Sequence, residues 1–273
     1  MWESIFHYAY LQNALISAIL TSVVCGTIGT IVLEKRMLML TGGIAHVAFG
    51  GIGLGYLAGF PPFIGAALFS VGSSLGIGRL SRNAKRNADI LVGLVWSMGM
   101  ALGVLFISFM DGYPPDLTSY LFGNILTVPS YEVKAMIVIT VLVVSVILVL
   151  FHAYKIYLFD EDFAKVQGVK VNVLEYVLFI LLGLAIVVLI QVVGFVLIFA
   201  LITSPPATAK FFTKNLGVMM AVSVGICLLF TIGGLWLSYS FNIPSGATII
   251  VLSGCCYFCV YFFNKVLLSR KAA

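Results

Sequence analysis

Residues 174 to 204 read LEYVLFILLGLAIVVLIQVVGFVLIFALITS, 31 residues that are apolar almost throughout. As one straight helix they would extend for about 46 Å, whereas the hydrocarbon core of a bilayer is about 30 Å thick. The stretch is therefore either one steeply tilted membrane helix or two shorter helices separated by a break between Gln191 and Gly194. The choice decides on which side of the membrane the rest of the chain lies.

The composition excludes a soluble fold. Of 273 residues, 62% are hydrophobic and only 9% are charged, whereas soluble domains carry about a quarter charged residues. Apolar stretches fill nearly the whole chain and leave no room for a soluble domain. We predict a single all-α, polytopic membrane domain over residues 1 to 273. Residues 1 to 10 lack the basic region of a signal peptide and are predicted to form an amphipathic lead-in.

Apolar stretches of membrane-spanning length recur along the sequence and predict eight or nine crossings. Besides the stretch from Leu174 to Ser204, the predicted spans are Leu11–Leu33, Leu38–Ala58, Phe63–Leu80, Ile90–Met110, Tyr131–Phe151, Gly217–Tyr239 and Ala247–Val266.

The basic residues favour a broken stretch, because cytoplasmic loops collect Lys and Arg. If the chain turns back near Gly194, fourteen of the 15 basic residues fall on one side, the exception being Lys134. If the stretch crosses once, the last five fall on the opposite side. We therefore predict nine crossings, with the N-terminus outside and the C-terminus in the cytoplasm.

A break between Gln191 and Gly194 leaves backbone polar groups unpaired at membrane depth, which is tolerated only where protein or a watery cavity covers them. The turn is therefore expected to face the protein interior or the extracellular vestibule. A single tilted helix is the alternative interpretation.

The second span is rich in glycine, and Gly51, Gly55 and Gly59 recur every four residues. Such a face is nearly bare backbone and allows another helix to approach closely. We expect Gly42, Gly51 and Gly55 to serve helix packing or gating.

His46 is the only ordinarily ionisable side chain well inside a predicted span, about 12 Å along the helix from Leu38. An ionisable group inside a membrane is by default a candidate functional residue, and neutral imidazole is a common ligand of transition metals. A neutral histidine bonded to a neighbouring carbonyl is the structural alternative. A single imidazole holds a divalent ion only weakly, which suits a site through which ions pass.

The loop over residues 111 to 126 contains two acidic residues and neither Lys nor Arg. Asp116 and Asn124 in this loop are candidate further ligands for a cation in the pathway, beside waters and carbonyls. An ordinary solvated loop is the alternative interpretation.

Two segments predicted to be cytoplasmic carry further information. Residues 159 to 170, FDEDFAKVQGVK, have the pattern of a short amphipathic helix at the interface. Residues 204 to 214, SPPATAKFFTK, place Phe211 and Phe212 between Lys210 and Lys214. Pro205 and Pro206 are predicted to end a span or open a short helix. An exposed aromatic pair suits either docking of a cytoplasmic partner or anchoring at the lipid surface.

The five cysteines, Cys25, Cys227, Cys255, Cys256 and Cys259, all lie in apolar stretches and are predicted to be small buried hydrophobes rather than a disulfide framework. The Cys-Cys-x-x-Cys run is only a weak signal for a soft metal.

The sequence contains no G-x-x-x-x-G-K-[ST] motif, so any ATP that drives the protein is hydrolysed by another chain. It also contains no nucleophilic triad and no paired carboxylates within a span, which argues against an intramembrane enzyme. The distribution of the +5 net charge does not suggest a nucleic-acid partner.

Six stretches together resemble the zinc and manganese permease family of ABC importers, relatives of the cobalamin and siderophore permeases. They are LQNAL at 11–15, GIAHVAFGGIGLG at 43–55, residues 116–126 with LFGNIL, 159–171, 193–209, and LWLSYSFNIPSGATI at 235–249. Each is modest alone, but six in the family's order are specific for the family, though not for the metal.

The resemblance implies the type II importer fold and a prokaryotic cell-membrane protein that pairs with a second copy, or with a similar permease, around a central pathway. Two ATPase subunits, which bind ATP and Mg, would lie beneath, and a metal-delivering solute-binding protein above. Pro205 to Lys214 would be the coupling helix that meets the ATPase. No cofactor is expected on this chain.

The sequence departs from the family pattern at two positions. The family usually has Asp four residues before the histidine, and here that residue is Gly42. Asn124 stands where relatives often have Asp. These departures leave open a different ion or a small metal chelate, as in a siderophore, haem or cobalamin permease. An ion-coupled secondary transporter is the alternative from another class, but it usually places acidic or basic relays in its spans.

Overall fold

The structure is a computed structural model that describes residues 8–83, 88–110, 121–123, 125–195 and 198–272. The regular structure of these residues is helical throughout. The helices are α1 (Ala9–Glu34), α2 (Leu38–Ala58), α3 (Pro62–Asn83), α4 (Ala88–Ser108), α5 (Ser130–Val149), α6 (Phe151–Phe159), α7 (Glu161–Val166), α8 (Val171–Val193), α9 (Ile198–Ala209), α10 (Leu216–Phe241) and α11 (Ser245–Ala272), with a 3₁₀ turn at Ile125–Thr127.

Eight helices within the described ranges are long and apolar enough to cross a membrane, namely α1 to α5, α8, α10 and α11. The predicted all-α membrane fold is confirmed, and the predicted span from Leu38 to Ala58 coincides with α2. The other boundaries differ mainly by a few residues, because polar residues such as Asn83 continue the helices beyond their apolar parts.

The long apolar stretch is broken at Gly194, as the basic residues indicated. Helix α8 ends at Val193, and Gly194 has a φ of 75°, a conformation that glycine adopts without strain. A Cβ on Gly194 would overlap the backbone of Gly123 and lie 2.5 Å from the carbonyl oxygen of Leu121. The turn is thus packed beneath the end of the predicted outer loop, and only glycine fits there.

Helix α9 brings the chain back and is short. Its 12 residues measure about 18 Å at 1.5 Å per residue, less than the thickness of the hydrocarbon core. The return is nevertheless complete, because Lys210 just after α9 forms an ion pair with Glu34 at the end of α1.

Helix α2 is the most thoroughly buried of the spans and lies between α3 and α4. Its glycines let both neighbours approach to backbone contact: a Cβ on Gly51 would overlap the backbone of Gly65 in α3, and one on Gly53 would lie 2.6 Å from the carbonyl oxygen of Gly103 in α4. Gly55 packs in the same way against Pro62. A tightly held α2 fixes the position of His46.

We call the end of the bundle at which α1 and α9 both finish the basic end. Lys35 lies 3.6 Å from Glu161 of α7, and its ammonium lies 3.5 Å above the ring of Tyr157 in α6. These contacts, together with the pair between Lys210 and Glu34 at 2.7 Å, bring three predicted cytoplasmic segments to one end.

The amphipathic segment from 159 to 170 contains the short helix α7. The carboxylate of Asp160 caps it by accepting a hydrogen bond from the N–H of Phe163, and Gly168 follows with a φ of 80°. The prediction of a short, glycine-terminated helix is confirmed.

The cysteines do not all behave as predicted. Cys25 and Cys227 are buried, but Cys255 and Cys259 are exposed and Cys256 is half-buried. The prediction was wrong for these three because α11 lies at the edge of the bundle, where one face is open to the membrane.

Candidate functional site

His46 lies in the interior of α2 with only 7% of its surface exposed. Its Nδ1 atom is 2.7 Å from the carbonyl oxygen of Gly42, one turn earlier. Because a carbonyl oxygen only accepts, Nδ1 must carry the proton and donate it. The neutral imidazole therefore keeps its lone pair on Nε2, the arrangement in which histidine binds metals.

Aromatic rings surround the imidazole. The indole of Trp96 in α4 stacks on it with 4.0 Å between ring centroids and 28° between planes. Phe195, directly after the Gly194 break, meets it edge-on at 5.4 Å and also packs on Phe49 at 4.9 Å. The break in the long stretch therefore delivers one wall of the His46 site.

Gly42 lies between the rings of Trp96 and Phe199. A Cβ on it would be 3.5 Å from Cδ2 of Phe199 and 3.6 Å from Cζ3 of Trp96, both ordinary contacts. Gly42 stands where the family usually has Asp, and ring atoms of neighbouring helices lie next to it. Within the described ranges no group of three or more His, Cys, Asp or Glu side chains is arranged to hold a metal ion. Asp116 and Asn124 lie outside the described residues.

The structure of residues 204 to 214 differs from the predicted one. Pro205 and Pro206 lie inside α9 and are buried, so they neither end the span nor open a separate helix. Each proline removes a backbone donor from the helix, and packing of both buried rings on neighbouring helices offsets that loss. The helix ends at Ala209, and turns follow at residues 210 to 212.

The predicted exposed pair of phenylalanines is also only half correct. Phe211 is half-buried and packs on Tyr257 and Tyr261 of α11, with ring centroids 6.0 Å and 6.4 Å away. Phe212 is 66% exposed at the basic end. The sequence did not indicate that the C-terminal helix would cover one ring of the pair.

A larger apolar surface at the basic end surrounds α7. Phe159, Phe163 and Val166 are exposed by 88%, 49% and 84%. Phe163 and Val166, three residues apart in α7, lie on one face of that helix, and Phe159 ends α6 just before it. Beside them lies a groove of about 430 Å³, lined by residues that include Lys155, Phe163 and Lys214. The spacing was visible in the sequence, but the prediction of docking was placed on the other segment.

The matched family decides the assignment. Residues 7 to 264 match the model of the ABC 3 transport family, which is nearly the whole chain. The chain belongs to the ABC 3 transport family.

Curated relatives of the ABC 3 chain match over nearly their whole length. It is 38% identical to an uncharacterized membrane protein of Synechocystis over 94% of this chain and 92% of the relative. It is 33% identical to the manganese transport system membrane protein MntC of Listeria innocua, over 98% and 97% of the two chains.

The fold is that of a solved transporter chain. PsaBC from Streptococcus pneumoniae, solved in complex with a Fab, contains a chain that superposes with a TM-score of 0.88 at 30% identity, covering 98% of both chains. Within this fold, His46 lies beside the Gly194 break, and α7 and Phe212 lie at the basic end.

Proposed function

We propose that this chain is the membrane-spanning permease subunit of an ATP-driven importer for divalent transition-metal ions, with manganese or zinc as cargo. The observation that carries the proposal is the fixed tautomer of His46. Its Nδ1 donates to Gly42 at 2.7 Å, which leaves the Nε2 lone pair, a good ligand for Mn²⁺ or Zn²⁺, at membrane depth. The relatives named as manganese transport proteins support the same class of cargo.

A single imidazole suits a site of transit. An ion that is to leave again must not be held by a complete ligand set. The remaining positions around the ion would be filled by water, and at the outer end by Asp116 and Asn124. The glycine-lined contacts of α2, including Gly51 and Gly55, would hold the histidine in place while neighbouring helices move.

The energy would come from two copies of an ATPase subunit, which bind ATP and Mg²⁺, because this sequence has no phosphate-binding loop of its own. The exposed apolar side chains at the basic end offer the docking surface: Phe159, Phe163 and Val166 around α7, and Phe212 after α9. Lys210, held by Glu34, and Phe211, held by α11, would position that turn. This proposal moves the main coupling contact from residues 205–214 to α7.

The positions of the other partners depend on which end of the bundle faces the cytoplasm. With the basic end in the cytoplasm, the N-terminus would lie outside and the C-terminus inside. A solute-binding protein would deliver the ion at the opposite end, near the Gly194 turn. A second copy of this chain would complete the pathway in the cell membrane.

A chelate permease is the second candidate, and the walls of the site favour it. Trp96, Phe195 and Phe199 offer ring surfaces where a bare ion would use a carboxylate. An organic chelate binds to such surfaces better than a hydrated ion does.

The deciding experiment is uptake into proteoliposomes that contain this chain with its ATPase and binding protein. Radioactive Mn²⁺, Zn²⁺ and Fe²⁺ are offered in turn, with and without ATP. ATP-dependent uptake of one free ion supports the metal importer. Uptake of a ferric siderophore, with no uptake of any free ion, would instead establish the chelate permease.

A further inference from the structure

Trp96 covers one face of the His46 imidazole. The indole lies flat on the imidazole at 4.0 Å, and His46 is left with 7% exposure. Trp96 itself is half-buried and belongs to α4, which packs mainly against α2 and turns its other face outward. The cover over the histidine is thus a residue at the edge of the bundle.

The other rings around His46 are less free to move. Phe195 is 1% exposed and is anchored by the packed turn at Gly194 and by contact with Phe49. Trp96 needs only to rotate toward the open side of α4. Rotation of a half-buried side chain costs far less packing than displacement of a fully buried one.

Gly42 is what allows the indole to lie there. The position of its missing Cβ is 3.6 Å from Cζ3 and 3.9 Å from Cη2 of Trp96, so the six-membered ring already rests against the bare backbone. A Cβ alone would just touch the ring. Any atoms beyond Cβ that point the same way would enter the space of the indole or of Phe199.

From these contacts we propose that Trp96 is the gate of the His46 site and that Gly42 is its seat. With the indole stacked, the site is closed, and rotation of Trp96 toward the open face of α4 admits a cation to Nε2 of His46. The nature of the cation rests on the proposed function, whereas the gate depends only on the arrangement of His46, Trp96 and Gly42.

The first test measures access to His46 directly. The chain has 3 histidines, so replacing His7 and His152 with Gln leaves His46 as its only histidine, and its modification by diethyl pyrocarbonate is followed on the isolated peptide that contains it. In the full complex, Trp96→Ala is expected to raise the rate of modification by about tenfold or more, because a site that is open only part of the time reacts in proportion to that fraction. Phe109→Ala, at a 69% exposed ring directly after the end of α4, is the matched control and should leave the rate unchanged.

A second variant keeps the proposal testable if Trp96→Ala does not fold. Gly42→Leu leaves the indole intact but fills its seat, and it should raise the rate in the same direction. Trp96→Phe, which restores a flat ring, should bring the rate back toward that of the wild type. Equal rates in the wild type, Trp96→Ala and Gly42→Leu would overturn the gate.

The second readout is leakage of Mn²⁺ through proteoliposomes without ATP. We expect Trp96→Ala to leak several-fold faster than the wild type, and an unchanged leak would count against the gate. If the wild type takes up no Mn²⁺ at all even with ATP, the proposed cargo is wrong, yet the modification rates still decide whether Trp96 covers His46. The two failures are therefore distinguishable.

Discussion

The ammonium group of Lys210 lies 2.7 Å from the carboxylate of Glu34, which joins the end of α9 to the end of α1. The two residues are far apart in sequence, and the pair closes the return of the chain from Gly194. Lys35 follows Glu34 directly and pairs with Glu161 of α7 at 3.6 Å.

Reversing the charge at Glu34 is expected to destabilise the protein more than removing it. Both side chains are partly exposed, so Glu34→Ala should cost no more than about 1 kcal/mol. Glu34→Lys places a third cation beside Lys35 and Lys210, and the double variant Glu34→Lys/Lys210→Glu should recover most of the loss. Thermal unfolding in detergent measures this, and about 0.5 M salt should shrink the differences. Equal melting temperatures for Glu34→Ala and Glu34→Lys would contradict the ion pair.

The variant His46→Asn separates the roles of the two imidazole nitrogens. The Asn amide can still donate to the carbonyl of Gly42, but it offers no group at the position of Nε2. We expect uptake of the metal ion to fall by about tenfold or more while the complex still assembles. His152→Asn, at the exposed histidine of α6, should retain uptake. Full uptake by His46→Asn would make the histidine a structural residue.

The glycines of α2 and α3 predict opposite effects of the same substitution. Gly51→Ala forces a Cβ into the backbone of Gly65, and overpacking of this kind costs about 1–3 kcal/mol. Gly72→Ala in α3 meets nothing within 4 Å and should leave stability unchanged or slightly higher. Comparing the two melting temperatures tests whether the close contact between α2 and α3 exists. A Gly51→Ala variant as stable as Gly72→Ala would disprove it.

Substitutions of Phe211 and Phe212, the two rings that follow α9, should separate docking of the ATPase from stability of the fold. Phe212→Ala, like Phe163→Ala, removes an exposed ring and is expected to reduce stimulation of the ATPase without lowering the melting temperature. Phe211→Ala removes a ring from the cluster with Tyr257 and Tyr261, where each aromatic pair contributes about 0.5–1.5 kcal/mol, so it should lower the melting temperature. Normal coupling in a Phe163→Ala/Phe212→Ala double variant would remove the docking role from α7.

The burial of Tyr154 predicts that the protein loses stability at alkaline pH. It is fully buried in α6 and donates to the carbonyl oxygen of Leu174 at 3.2 Å, and burial raises the pKa of its hydroxyl well above the ordinary value of about 10. The folded state therefore holds this proton more tightly. Its stabilisation is complete below about pH 10 and is lost as pH rises through the higher pKa of the folded state.

Tyr154→Phe checks this dependence. The variant should be less stable by about 0.5–1.5 kcal/mol near neutral pH, because the Leu174 carbonyl loses its donor. Its melting temperature should also fall less steeply than that of the wild type above about pH 10. Tyr8→Phe, at an exposed tyrosine, is the control. Parallel curves for Tyr154→Phe and the wild type would exclude the effect.

The spans were predictable because bilayer thickness acts on every membrane chain alike, and the side on which each loop lies stays a prediction from its charge. The break at Gly194 followed from the length of one stretch and from the positions of Lys210 and Lys214. His46 was found because it is isolated among apolar residues. These are properties that each segment displays by itself.

The contacts around the site were not predictable in the same way. Nothing near Trp96 in the sequence indicates that its ring meets His46, since that contact depends on how α4 crosses α2. The burial of Phe211 depends on α11, which is distant in sequence. Local rules predicted that Pro205 and Pro206 end a span or open a short helix, and packing inside the bundle overrides those rules.

The short helix after Gly194 has a consequence for how the protein is made. A segment of 12 residues is too short to be inserted into a bilayer as a span of its own, which takes about 17–25 residues. Helix α8 and the return helix must therefore enter the membrane together as one hairpin during synthesis. Gly194, at its tip, thus acts during biogenesis, before the finished protein has folded, because the turn there sends the chain back toward the side from which it entered.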